Sequence, residues 1–116
     1  MKQMIPPNVT AYHVHIYCQV EEIPQCQQLR LLMLKELGDQ IAGAGPVRHR
    51  PIGPHPLPMF EAWFDAEHLA AVKDWCLKNH GNFSVLFHPL TGNAYEDHAL
   101  YAEWMGPILP LDLSIF

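Results

Sequence analysis

The fold is decided by a short stretch of strict alternation near the start of the chain, Tyr12-His13-Val14-His15-Ile16-Tyr17-Cys18-Gln19-Val20. The apolar side chains that fall on one side of an extended backbone are Val14, Ile16 and Cys18. The side chains that fall on the other side are His13, His15 and Tyr17. This two-residue period predicts a β-strand over residues 12–20 with one apolar face and one histidine-bearing face.

Outward from this strand, the sequence changes to a helical period and then alternates again. Residues 24–42 predict a helix, because Pro24 suits a first helical turn and apolar residues recur every three or four positions. Residues 46–52 predict a short edge strand, since their prolines lack a backbone N–H group. Alternation then predicts a third strand over residues 58–64.

The second half of the chain repeats the pattern. Asp65 is suited to cap a helix that runs from Ala66 to about Asn79. Residues 83–88 predict a fourth strand, and the tail includes a predicted short helix near residues 98–105. The order β-α-β-β-α-β indicates an α+β protein of ferredoxin-like fold, with both helices on one face of an antiparallel sheet and a C-terminal extension. We expect one domain over residues 1–116.

Side-chain parity assigns the two faces of the predicted sheet. One face is wholly apolar and should contact the helices: Val14, Ile16, Phe60, Ala62, Phe64, Val85 and Phe87. The other face carries His13, His15, Tyr17, Glu61, Trp63, Ser84, Leu86 and His88. In a ferredoxin-like sheet the first strand lies between the third and the fourth. Several imidazoles and one carboxylate should therefore converge on the second face.

Composition excludes several classes of function. The 49% hydrophobic content supports a packed core, and the net charge of −5 without a basic run argues against nucleic acid as a partner. No apolar run approaches the roughly 18 residues of a membrane span, and no signal peptide is recognisable, so we expect no membrane partner and a cytoplasmic location. The three cysteines, Cys18, Cys26 and Cys76, predict no disulfide framework and should be small buried hydrophobes.

The converging side chains predict a metal site. Two histidines and one carboxylate with open coordination positions suit non-haem Fe(II), although another divalent metal is compatible. We predict His15, His88 and Glu61 as ligands, with His13 as an alternative to His15. The histidines assigned to catalytic acid–base roles are His13, His55 and His98. The competing interpretation is that each histidine is a packed structural side chain and that Glu61 is solvated or pairs with an arginine.

Other residues are candidates for binding a substrate. Arg48 and Arg50 are predicted to bind a substrate carboxylate, with a solvated edge strand as the simpler alternative. Tyr17 and Trp63 are predicted to contact an aromatic substrate. Three further histidines should lie on the surface: His49, His68 and His80.

Four segments in order resemble the DOPA 4,5-dioxygenase family, over nearly the whole chain. They are Tyr12-His13-Val14-His15-Ile16-Tyr17, Gly53-Pro54-His55-Pro56-Leu57-Pro58-Met59-Phe60-Glu61, Ser84-Val85-Leu86-Phe87-His88-Pro89-Leu90-Thr91-Gly92, and Asp97-His98 with the ending Gly106-Pro107-Ile108-Leu109-Pro110-Leu111-Asp112-Leu113. The resemblance implies extradiol cleavage of DOPA or a related catechol by dioxygen at a non-haem metal. The partners that it implies are a small-molecule catechol and O2.

Two other classes of function are compatible with the sequence. One is a non-catalytic protein that binds a metal or a small ligand on the same fold, and the other is a cofactor-free oxygenase with an apolar pocket. The half-open sheet and the apolar tail also predict a homodimer. The sequence leaves open whether the tail covers its own sheet or that of a neighbouring subunit.

Overall fold

The protein is an α+β fold built on one five-stranded antiparallel sheet. The computed structural model describes residues 8–116. The strands are β1 (Ala11–Tyr17), β2 (Gly43–Ala44), β3 (Met59–Asp65), β4 (Ser84–Pro89) and β5 (Glu103–Met105). The α-helices are α1 (Ile23–Leu37), α2 (Leu69–Asn79) and α3 (Ala94–Ala99). The strand order is β2-β3-β1-β4-β5, which confirms that the first strand lies between the two long strands that bear Glu61 and His88.

The face of the sheet that meets α1 and α2 holds the main core. All seven apolar residues assigned to it by parity are buried there, and they pack with Cys26, Met33, Val72 and Cys76 of the two helices. The three cysteines are buried and unbridged. Alternation on three neighbouring strands therefore predicted this core correctly, because each strand residue must point to the face opposite its neighbour.

The chain's own tail covers part of the opposite face. Tyr17, Met59 and Leu86 form a second, smaller apolar cluster there, and Leu109 and Leu111 of the tail pack against it. The backbone N–H of Asp112 also donates to the carbonyl of Pro54, 2.9 Å away, which ties the tail to the proline-rich loop of residues 53–58. The question that the sequence left open is answered in favour of the chain covering its own sheet.

Two predicted elements were wrong. Residues 46–52 do not form a strand: the edge strand is β2, and beyond it only isolated bridges join Arg48 to Met59 and Ile52 to His55. Pro46 and Pro51 lack the N–H groups that a continuous ladder needs. The predicted helix near residues 98–105 is instead α3, which ends at Ala99, followed by the fifth strand β5. Within residues 8–116 no helix is long and apolar enough to cross a membrane.

Candidate metal centre

Five imidazole rings converge on the sheet face opposite α1 and α2. We refer to them as the histidine cluster: His13, His15, His55, His88 and His98. His13 and His15 lie on β1, and His88 lies directly opposite His13 on β4. The ring centroid of His15 lies 5.1 Å from that of His88 and 4.3 Å from that of His55. Because the i, i+2 spacing puts both β1 histidines on one face, the strands alone assemble three of the five rings.

A rigid turn delivers His55 to the cluster. The backbone N–H of His55 donates to the carbonyl of Ile52 at 3.0 Å, which closes a tight turn. Gly53 adopts a φ of 57° inside this turn, a conformation that residues with a Cβ rarely adopt. The ring of His55 is buried, and its Nδ1 lies 2.7 Å from the hydroxyl of Tyr17. The proline-rich loop thus brings His55 into the site.

The short helix α3 delivers His98. Its first turn is capped by Asn93, whose side chain accepts a hydrogen bond from the N–H of Glu96. The buried carboxylate of Asp97 accepts hydrogen bonds from both the hydroxyl and the backbone N–H of Thr91. These bonds fix α3 against the end of β4, so that the ring centroid of His98 lies 4.1 Å from that of His88.

Hydrogen bonds to backbone carbonyls orient two of the rings. Nδ1 of His88 donates to the carbonyl of Pro89 at 2.9 Å, and Nδ1 of His98 donates to the carbonyl of Ala94 at 2.8 Å. A carbonyl can only accept, so the neutral rings carry their protons on Nδ1 and leave an electron pair on Nε2. Such a bond from the second ring nitrogen is the usual partner of a metal-binding histidine.

The ring of His15 contains an unsatisfied polar atom. Its Nε2 lies 3.0 Å from Nε2 of His88, while its buried Nδ1 has no hydrogen-bond partner among the described residues. Unpaired buried polar atoms are rare and costly. A separation of 3.0 Å is short enough for both Nε2 atoms to bind one ion at the usual metal–nitrogen distance of about 2.1 Å. The spacing of these two nitrogens fits a metal centre, and the orphaned Nδ1 leaves His15 with incomplete hydrogen bonding in the metal-free protein.

Two groups of three histidines have the compactness of a ligand set. One is His13, His15 and His88, and the other is His15, His55 and His98; within each, one nitrogen per ring lies within 4.8 Å of the others. His15 belongs to both groups. Imidazole nitrogens bind iron, zinc, copper and nickel well, so the donor set fits a transition metal without selecting one.

Glu61 borders the cluster on its open side. Its Oε1 lies 3.5 Å from Nδ1 of His13, and its Oε2 lies 3.9 Å from Nδ1 of His15. Nε2 of His15 faces His88 on the opposite side of the ring. The carboxylate therefore approaches these two histidines from the Nδ1 side and belongs to neither compact group.

Burial makes the inner rings poor bases. Desolvation, reinforced by the neighbouring His98, lowers the pKa of His88 to about 3 and that of His55 to about 4. The pKa of His15 lies well below its usual value, chiefly through burial and then through His55. Burial also lowers the pKa of His13, although Glu61 opposes this effect. Rings that stay neutral keep an electron pair available for a metal ion.

The remaining predicted residues lie around this centre or away from it. Trp63 flanks His13 with ring centroids 6.5 Å apart, whereas Tyr17 is buried beneath His55. Arg48 and Arg50 are exposed, and neither forms an ion pair within residues 8–116. Outside the cluster, His49 is exposed, while His68 and His80 are half-buried.

Sequence reasoning missed two residues that shape the site. Asp97 was noted only as part of a motif, and the spacing Asn93-x-x-Glu96, a recognised helix-start signal, could have placed α3 and with it the Thr91–Asp97 contact. Phe116, whose ring stacks on His98 at 4.8 Å between centroids, gave no signal, because its place depends on the path of the tail.

Comparisons with known proteins agree with this description. The family model for the Dopa 4,5-dioxygenase family matches residues 12–115. A DOPA 4,5-dioxygenase of Amanita muscaria is 32% identical over 98% of the chain, and an uncharacterized 21.2 kDa protein of Botryotinia fuckeliana is 37% identical over 90% of it. The chain spans only 53% and 62% of the lengths of these two relatives.

A solved structure is also similar. The crystal structure of a candidate dioxygenase from Nostoc punctiforme PCC 73102 matches with a TM-score of 0.81 and 30% sequence identity, over 91% of this chain and 90% of that one. The shared fold and the match of the family model to nearly the whole chain lead to one conclusion. This chain is a member of the Dopa 4,5-dioxygenase family.

Proposed function

We propose that the protein is a metal-dependent extradiol dioxygenase that opens the ring of DOPA or a related catechol with O2. The observation that carries this proposal is the 3.0 Å separation between the buried Nε2 atoms of His15 and His88, within a compact group of three histidines that includes His13. A divalent metal such as Fe(II), when bound, supplies the sites at which a catechol and dioxygen meet and exchange charge. The family membership supports the same reaction class.

We assign the metal to His13, His15 and His88. Their donor atoms form one compact group, and the bond from His88 to the carbonyl of Pro89 keeps its Nε2 free of a proton. Glu61, which the sequence suggested as a ligand, is assigned instead to the neighbourhood of His13 and His15, since it contacts their Nδ1 atoms. The carboxylate would favour a proton on Nδ1 of His15 and so an electron pair on Nε2.

His98 is assigned to proton transfer, and His55 to a hydrogen bond that stabilises the reacting substrate. The bond to the carbonyl of Ala94 leaves Nε2 of His98 able to accept a phenolic proton, and its ring centroid lies 4.1 Å from that of His88. His55 is held by the hydroxyl of Tyr17, whose own pKa burial raises, so this hydroxyl stays protonated. If Tyr17 donates to Nδ1 of His55, Nε2 of His55 carries a proton and can donate a hydrogen bond to an oxygen atom of the substrate.

Metal content and oxygen uptake test this assignment together. The protein is loaded anaerobically with Fe(II), its bound metal is measured, and oxygen consumption is followed with L-DOPA and other catechols. We expect uptake with a yellow ring-opened product. His15→Ala and His88→Ala should lose both the metal and the activity, whereas Glu61→Gln should keep the metal and His49→Ala should behave as the wild type. Full metal content in both histidine variants would refute the ligand assignment.

A non-catalytic binding protein predicts a different result from the same experiment. The histidine cluster would still hold a metal, so loss of metal in His15→Ala would be shared by both hypotheses. Oxygen uptake separates them: a folded, Fe(II)-loaded protein that consumes no oxygen with any catechol of the panel would favour binding alone.

A further inference from the structure

The rim of the histidine cluster combines a half-exposed carboxylate with a half-exposed indole. Glu61 and Trp63 lie two residues apart on β3 and therefore share one face of the sheet. They stand directly opposite His15 and His13, respectively, on β1. The side chain of Glu61 is 32% exposed and Trp63 is 39% exposed, whereas His15 and His88 are almost fully buried. A molecule that reaches the cluster from this side must pass these two side chains.

Among residues 8–116, no lysine or arginine lies within 4 Å of the carboxylate of Glu61. The basic groups within this distance are the imidazoles of His13 and His15, whose lowered pKa values keep them neutral at pH 7. Arg48 and Arg50 are exposed elsewhere on the edge of the sheet. The rim therefore presents a negative charge to solvent, which repels an anionic side chain and attracts a cationic one.

The indole of Trp63 is held in place on the same face of β3 as Glu61. A Cβ added to Gly43 of the neighbouring strand would lie 2.4 Å from Cζ2 of Trp63, so the indole rests directly on a residue that has no side chain. The ring is also 6.5 Å from that of His13, at an angle of 50°. An aromatic ring and a carboxylate two residues apart on one strand face can bind an ammonium group together, through the ring quadrupole and a charge-assisted hydrogen bond.

We propose that Glu61 and Trp63 form an ammonium subsite, so that the protein prefers catechols with an amine on the side chain over catechols with a carboxylate alone. The proposal rests on the catechol site proposed above and narrows its substrate class. It also changes the substrate group that is recognised: the expected carboxylate contact of Arg48 or Arg50 is replaced by an ammonium contact of Glu61.

Binding to zinc-loaded protein tests the subsite without turnover. The probes are tyramine, 4-methylphenol and 4-hydroxyphenylacetate, which share a phenol ring and carry a positive, zero and negative charge, respectively. Isothermal titration calorimetry should rank their affinities in that order, with roughly a tenfold advantage for tyramine over 4-methylphenol. Glu61→Gln should remove the tyramine advantage. Glu67→Gln, a control at a solvent-exposed carboxylate, should preserve it.

Three results would overturn the subsite. They are equal or tighter binding of 4-hydroxyphenylacetate than of tyramine, an unchanged tyramine advantage in Glu61→Gln, and no measurable binding of tyramine. The Fe(II)-loaded enzyme is then assayed with dopamine, 4-methylcatechol and 3,4-dihydroxyphenylacetate. Turnover of all three with equal kcat/KM would also reject the subsite while upholding the dioxygenase. A tyramine preference without any turnover would uphold the subsite and reject the dioxygenase.

Discussion

The two faces of the sheet use the same strands for opposite purposes. On the face under α1 and α2, every inward side chain is apolar and the cluster is closed. On the other face, β1 and β4 present imidazoles and β3 presents Glu61 and Trp63, and a loop, a short helix and the tail surround them. The face under α1 and α2 gains stability because its apolar side chains are buried away from water. The other places five titratable rings side by side, a costly arrangement that is expected where function requires it.

Lowering the pH should have the largest effect, because it destabilises the histidine-bearing face and leaves the apolar face unaffected. In the metal-free protein, the folded-state pKa of His88 is about 3 and that of His55 is about 4, against about 6.5 when unfolded. Only the unfolded chain therefore takes up these protons as the pH falls from about 6.5 to about 4. Stability is full above pH 6.5 and should fall by pH 4 by on the order of 3 kcal/mol for each of His88 and His55.

Urea denaturation at stepped pH, with chelator present, measures this loss. His88→Leu should flatten the dependence on pH, whereas substitution of the exposed His49 by alanine should leave it unchanged. A metal-free protein that is as stable at pH 4 as at pH 7 would contradict the neutral, buried state assigned to these rings.

Phe60→Ala should produce the next largest effect, on the helix-covered face. Phe60 is fully buried between the sheet and the helices, and such a truncation removes roughly 3–5 kcal/mol from the free energy of unfolding. The loss arises from apolar contacts and should be nearly independent of pH. Thermal unfolding at pH 7 and pH 5 checks both points; Ile108→Ala, a truncation of an exposed apolar side chain, serves as the control. A loss below about 1 kcal/mol would mean that this face is not the main core.

The sequence predicted the long strands and the face on which each of their side chains lies, because side chains alternate strictly between the two faces of a strand. The neighbours of these strands followed from the ferredoxin-like order of elements. The side chain of residue i+2 points to the same face of a strand as that of residue i, so a strand that places His13 on one face also places His15 there. The positions of His55 and His98 depend on a turn with a positive φ at Gly53 and on a side-chain contact between Thr91 and Asp97. Neither has a repeating period, so the sequence could nominate these two histidines but could not place them.

Thr91→Ala should have an intermediate effect, and it tests how the histidine face is assembled. Its hydroxyl contacts the buried carboxylate of Asp97 at 2.5 Å, and its loss leaves that charge with fewer partners, at a cost of about 1–3 kcal/mol. Ser114→Ala removes an equally short contact, 2.5 Å to Asp112, but at an exposed site, and should cost less than about 0.5 kcal/mol. Equal losses in the two variants would show that α3 does not depend on this contact.

His15→Leu should have the smallest effect on stability and the clearest meaning. In the metal-free protein, the imidazole of His15 has an unpaired Nδ1 and lies within 4.3–5.1 Å of two other rings, so it contributes burial without complete hydrogen bonding. Leucine keeps most of the apolar volume and removes the unpaired atom, although Nε2 of His88 loses its neighbour. These changes oppose each other, and we expect the free energy of unfolding to change by less than about 1 kcal/mol at pH 7.

The same His15→Leu variant should fail to bind metal. A wild-type protein stabilised by added Fe(II) and a His15→Leu variant that does not respond would show that this face becomes stable only when its ligand is bound. A loss comparable to that of Phe60→Ala would instead make His15 a core residue, and the two faces would differ less than their chemistry indicates.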